Sequence, residues 1–263
     1  MVVAFLYLRR TRTLAHEGRP VPGWRQVVFW VGIGLVVLAL NSPLDSLGEE
    51  HFFFIHMTQH VIIGDLAPLC FVLGLTGQVL RPVLALRPVE RLRVLTHPFV
   101  ALPVWAVNLY LWHIPLLYDA ALHHNAIHAL EHFCFFTAGC LMWEPVVETL
   151  PAPAWFGTGW KLAYIAVVRL VETILGNVFI WSSTAFYGVY RHAPQWGITP
   201  AHDQNLGGVV MMAEGSIVTL AALVWLFLRL ASESELRQRL LEQGYDPRQV
   251  QRAVRYGRAE DLA

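Results

Sequence analysis

Charge is what this sequence has least of. Asp, Glu, Lys and Arg make up 14% of 263 residues, against roughly 25% in typical soluble domains. So few charges could not cover the surface of a water-soluble protein, and they do not keep a chain disordered either. Cysteine is also scarce. Cys70, Cys134 and Cys140 form no CxxC and no even set, which excludes a disulfide-stapled secreted fold. The net charge is zero, so nothing draws the chain toward nucleic acid. Internal repeats and low-complexity tracts are absent. What remains is apolar: hydrophobic residues make up 56% and mean hydropathy is +0.47. The composition is that of an integral membrane protein.

Six stretches approach the roughly 20 apolar residues needed to cross a bilayer: Trp24–Leu40, Phe52–Leu75, Phe99–Leu117, Ala126–Val147, Trp160–Trp181 and Leu206–Leu228. The expected fold is an all-α polytopic bundle over residues 1–231. Val2–Leu8 is too short to span and reads as the stub of a truncated seventh helix. Residues 232–263 read as a cytoplasmic helical tail, with Ser232 as N-cap, a first helix ending at Gly244 and a second starting at Asp246-Pro247. Of the 19 basic residues, only Arg169 and Arg191 lie outside a set of alternate segments. Basic loops stay in the cytoplasm. That places the C-terminus inside, and the loops Asn41–His51, Tyr118–Asn125 and Ser182–Asn205 outside.

Histidine follows this topology closely. All twelve except His16 and His97 fall in the outer loops or the outer halves of spans. Histidine within a membrane is costly and usually faces a bundle interior or a wet cavity. His56 and His60 are four apart and share a helix face, with Gln59 beside them and Met57 about 100° round. His124, His128 and His132 recur every four residues, with Glu131 three after His128. By helical rise, His60, His132, His113, Asn177 and Met211 all reach a layer roughly 6–12 Å below the span ends. Facing imidazoles spaced i and i+4 are how helical bundles build metal and haem sites. Imidazole suits copper, zinc, iron and nickel, and thioether selects Cu(I). The candidate metal ligands are His56, His60, His128 and His132, with Met57 or Met211 as soft additions. His113, Asp119 and Glu131 are candidate orienting or entry groups. Asp203 and Gln204, at the start of the last span, are candidates to cap it or gate the mouth. Asp65, Arg169 and Glu172 lie near mid-span, where ion pairing and a proton path are both open readings. The three cysteines read as small apolar fillers.

Five segments then carry a resemblance: NSPLDSLGEEHFFFIHMTQH, LGLTGQ, LYLWHIPLLYDAAL, HALEHFCFFTAG and DQNLGGVVMM, in that order from Asn41 to Met212. The chain resembles the CtaG-type membrane proteins linked to assembly of haem-copper cytochrome c oxidase in bacteria. Carried over position by position, the motif residues are His56, Met57, Gln59 and His60; Trp112, His113, Pro115, Tyr118 and Asp119; His128, Glu131 and His132; and Asp203, Gln204, Gly207 and Gly208. The resemblance implies a multi-pass plasma-membrane protein that supports copper insertion into the oxidase without catalysing a reaction. Its implied partners are oxidase subunits and an extracytoplasmic copper donor. Against this copper reading stand a membrane zinc hydrolase, a b-type haem carrier, and a scaffold whose polar layer only joins helices.

Overall fold

A computed structural model describes residues 2–255 and 257, without the side chains of Arg87, Pro88, Glu90 and residues 192–195. The side chain of His192 and the end of the expected tail, including Arg258, lie outside the described residues. Every regular element described is helical, as the apolar periodicity requires. The chain runs through α1 (Val2–His16), α2 (Gly23–Asn41), α3 (Pro43–Glu50) and α4 (Phe53–Val61). A π-helical turn at Ile62–Leu66 leads into α5 (Ala67–Gly74), followed by α6 (Gly77–Leu84) and α7 (Arg87–Leu92). Then come α8 (Pro98–Trp112), α9 (Pro115–His123), α10 (Asn125–Val147), α11 (Thr158–Trp181), α12 (Pro200–Glu242) and α13 (Pro247–Arg255).

Among the described residues, four helical segments are long and apolar enough to cross a membrane: α2, α4 through α5, α11 and α12. A fifth appears if α8 and α9 count as one bent span. Six were expected, and the shortfall has two physical causes. The expected span Phe99–Leu117 breaks after Trp112 and turns by 71°. Pro115 offers no N–H, and a residue before proline is pushed out of the α region; Ile114 is extended at φ −67°, ψ 127°. α10 is long enough at 23 residues, but His128, Glu131, His132 and Glu144 make it too polar to qualify by composition.

Ser232 is no N-cap. α12 runs through it without interruption for 43 residues, and the Ser232 hydroxyl donates back to the Leu228 carbonyl at 3.0 Å, a bond that leaves the helix intact. Asp246 does cap the next helix, accepting the Arg248 and Gln249 amides at 2.9 and 3.1 Å.

The chain divides into two compact units: residues 1–152 with 170–214, and residues 153–169 with 215–263. In the second, Thr158 donates to Glu233 at 2.7 Å, Arg229 reaches the same carboxylate at 2.8 Å, and Arg255 donates to the Phe156 carbonyl at 2.9 Å. The first unit holds every candidate site residue. There α2 packs on α5, and α10 packs on α5, α8 and the π turn. Two glycines allow the closest approaches. A Cβ on Gly139 of α10 would collide with the Gly64 carbonyl, and one on Gly207 of α12 would collide with the Phe53 ring and lie 3.2 Å from Met57 Cγ.

The π turn sets the phase of the long segment. An uninterrupted α-helix would put His60 and Asp65 about 140° apart, since each residue turns the chain by about 100°. The surplus residue of a π turn takes up about one such step and brings the two to within about 40°. His60 and Asp65 accordingly line one cavity.

Candidate metal centre

The centre forms where α4 faces α10. His56 and His60 lie one turn apart on α4, with ring centroids 4.2 Å apart; His128 and His132 do the same on α10, at 4.1 Å. Across the helix pair, His56 stacks on His128 at 5.4 Å and His60 meets His132 edge-on at 5.5 Å. One donor atom from each of His56, His60, His128 and Glu131 lies within 4.8 Å of the other three. Glu131 is therefore part of the converging set, and His132 stands beside it. The Phe135 ring lies 4.7 Å from His60, tilted by 45°.

The hydrogen-bond state of these groups is unusual. Both ring nitrogens of His56 and of His60 are buried without a hydrogen-bond partner, as are both oxygens of Glu131 and Nε2 of His128 and His132. His60 Nε2 lies 3.8 Å from Glu131 Oε1, beyond hydrogen-bond range. Buried polar groups in folded proteins are almost always paired. A pocket with this many open lone pairs, all of them good ligands, fits a cation better than it fits a helix-joining hydrogen-bond network. Imidazole and carboxylate together suit divalent first-row metals.

His128 carries the supporting arrangement that such ligands need. Its Nδ1 lies 2.7 Å from Glu49 Oε1 on α3, so the Nδ1–H donates to that carboxylate and the Nε2 lone pair is left for the pocket. Burial, reinforced by Asp45 and Glu50, pushes the Glu49 carboxyl above the usual carboxylate range. Sequence reasoning missed Glu49. Its signal was the packing of α3 on α4, which the Ser42 cap and Pro43 position: the Ser42 hydroxyl accepts the Leu44 amide at 3.2 Å.

An aromatic layer covers the α4 N-terminal end. The Tyr118 ring lies 5.3 Å from His56 and stacks on Tyr187 at 3.9 Å. The Tyr190 hydroxyl donates to the Gly48 carbonyl at 2.9 Å, so the Tyr118 hydroxyl must donate to Tyr190, also at 2.9 Å. Burial holds the Tyr187 and Tyr190 phenols well above their ordinary range, so both stay neutral. Tyr118 belonged to a recognised motif; Tyr187 precedes the short 3-10 helix Gly188–Trp196 and Tyr190 lies within it, with no apolar periodicity to mark either.

The remaining expected residues have other places. His113 Nδ1 donates to the Leu109 carbonyl at 2.7 Å, and its Nε2 is buried without a partner. His113, Met57 and Met211 line a cavity of about 60 Å³ that also touches His60. Asp119 is half-buried and outside the converging set. Asp203 does cap a helix, though not its own: it accepts the Phe53 and Phe54 amides of α4 at 2.8 and 3.1 Å. Gln204 ties down the loop before α12, accepting the Phe186 amide at 2.7 Å and donating to the Thr184 carbonyl at 3.1 Å. Gln59 donates to the Ala39 carbonyl at 3.0 Å and to Asp45 at 2.6 Å, which holds α2 and α3 against α4. His123 and His124 are exposed.

Apolar helices of membrane length around a buried His/Glu cluster define a helical-bundle membrane protein with a candidate metal centre. A family model described as cytochrome c oxidase caa3 assembly factor (Caa3_CtaG) matches residues 5–233, and the chain belongs to that family of assembly factors. No curated protein and no solved structure matches the chain.

Proposed function

We propose that the protein holds copper at His56, His60, His128 and Glu131 and passes it to the oxidase during assembly, without catalysing a reaction. The observation that carries this reading is the convergence of open, buried nitrogen and oxygen donors within one pocket. The copper is cargo, received from an extracytoplasmic donor and delivered to an oxidase subunit. In this reading α10 and the bent α8–α9 pair both cross the plasma membrane, giving six spans. The basic-residue bias then places the histidine end outside and the C-terminus in the cytoplasm.

Two observations favour holding over the rival chemistries. A hydrolytic zinc site keeps three protein ligands and a position for water, whereas four protein donors meet here. The cavity beside His60, at about 60 Å³, is far smaller than the ~300–1,000 Å³ of a typical cofactor pocket, which disfavours a haem. Elemental analysis of the purified protein tests the proposal. Copper near one equivalent after loading with Cu(II), lost in His56→Ala/His60→Ala, is the expected result. Stoichiometric zinc without copper, or copper unchanged in the double variant, would overturn it.

A further inference from the structure

Beneath the His/Glu set, the cavity lined by Met57, His60, His113 and Met211 has a different chemistry. Its walls also include the apolar Trp105, Leu109 and Phe135 and the carboxyl residues Asp65, Glu172 and Glu214. His113 is 8% exposed, and its Nδ1–H is committed to the Leu109 carbonyl, which leaves Nε2 as a lone pair with no hydrogen-bond partner. Met57 is fully buried and Met211 is 9% exposed. Gly207, one turn before Met211 on α12, lets the two methionine-bearing helices close on each other, since any Cβ there would press on Phe53 and Met57. At the far end, Asp65 bonds to Glu214 and accepts the Trp143 indole N–H. Glu172 lines the same cavity.

We infer that this cavity is a second binding site, specific for a soft monovalent cation such as Cu(I), with Met57 Sδ, Met211 Sδ and His113 Nε2 as its ligands. Thioether and imidazole donors select Cu(I) over divalent ions. All three donors are neutral, and two of them are thioethers, which hold a hard divalent ion poorly. His60 borders both compartments, so the two sites share a wall. The inference rests on the proposal that the histidine pocket handles copper, and it adds a soft station to a harder one. It also redistributes the sequence expectation. The two methionines complete a separate compartment rather than adding soft ligands to the histidine set.

Ag(I) and Cu(II) separate the two stations in the detergent-purified full chain. Ag(I) binding is measured by equilibrium dialysis with elemental analysis, and Cu(II) by its nitrogen-split electron spin resonance. Met57→Leu/Met211→Leu preserves apolar volume and is expected to lose Ag(I) while keeping the Cu(II) signal, which also certifies its fold. His128→Ala/Glu131→Gln is expected to do the reverse. X-ray absorption of the Ag(I)-loaded wild type is expected to show sulfur scatterers that vanish in the methionine variant. The second site is overturned if the methionine variant keeps its Ag(I) or loses Cu(II) along with it, if His128→Ala/Glu131→Gln loses both ions, or if no sulfur is seen. A wild type that binds Ag(I) through sulfur but takes no Cu(II) would sink the histidine reading and leave the soft site standing.

Discussion

Two polar layers lie along the same helix pair, and they are satisfied to very different degrees. At mid-length of the α4–α5 segment, Asp65 receives the Trp143 indole N–H from α10 and bonds to Glu214 from α12. Near the α4 N-terminus, His56, His60 and Glu131 have no hydrogen-bond partner at all, and His128 has one for one of its two nitrogens. Both layers pay the desolvation cost of polarity inside an apolar bundle. Only the Asp65 layer recovers it from the chain itself. Polar groups inside membrane helices therefore need sorting by what their lone pairs do: those already bonded join helices, and those left open point to a ligand.

The largest expected effect breaks the open layer. Replacing His60 by alanine removes a donor of the converging set and should abolish the nitrogen-split Cu(II) resonance of the purified protein; an unchanged signal would place the site elsewhere. Next comes the packing that brings the layers together. Gly139→Ala drives a methyl group into the Gly64 carbonyl, a backbone atom that cannot rotate away, and should cost about 1–3 kcal/mol. A marked fall in thermal midpoint and in membrane yield checks it. Glu49→Gln keeps the shape of the His128 partner and removes its charge. It should weaken metal affinity roughly 10–100-fold with little change in midpoint, and competition against a chelator of known affinity measures the shift. In the satisfied layer, Trp143→Phe takes one hydrogen bond from Asp65 and should cost about 1 kcal/mol while leaving metal stoichiometry unchanged. Loss of metal in this variant would erase the distinction between the layers. The smallest effect is expected of Asp203→Ala, which uncaps α4 at about 0.5–2 kcal/mol and should lower the midpoint without moving metal content.

Much of this was legible in the residues. The four-residue spacing of His56 with His60 and of His128 with His132 fixes which helix faces they occupy, and the structure turns those faces toward each other. That Glu131, at an angle to the histidine stripe, joins the converging set depends on how α10 is rotated against α4, which only tertiary packing decides. The break at His113 was latent in Pro115, but the composition of Phe99–Leu117 is uniformly apolar and masks a bend. Glu49 was hidden because α3 is short and polar and reads as loop, while its value lies in where a cap and a proline aim it. The length of α12 was misjudged for a related reason. Ser232 is a good N-cap residue, and nothing local says that its hydroxyl bonds backward instead.

The wide turn at Ile62–Leu66 makes the motif a matter of counting as well as of identity. On a regular rod, HMTQH would still carry His56, Met57 and His60, yet Asp65 would swing toward a different wall and the sulfur compartment would lose its floor. One supernumerary residue keeps the upper and lower halves of that rod looking in the same direction. A search for equivalent centres in other bundles should therefore align backbone phase before it compares side chains.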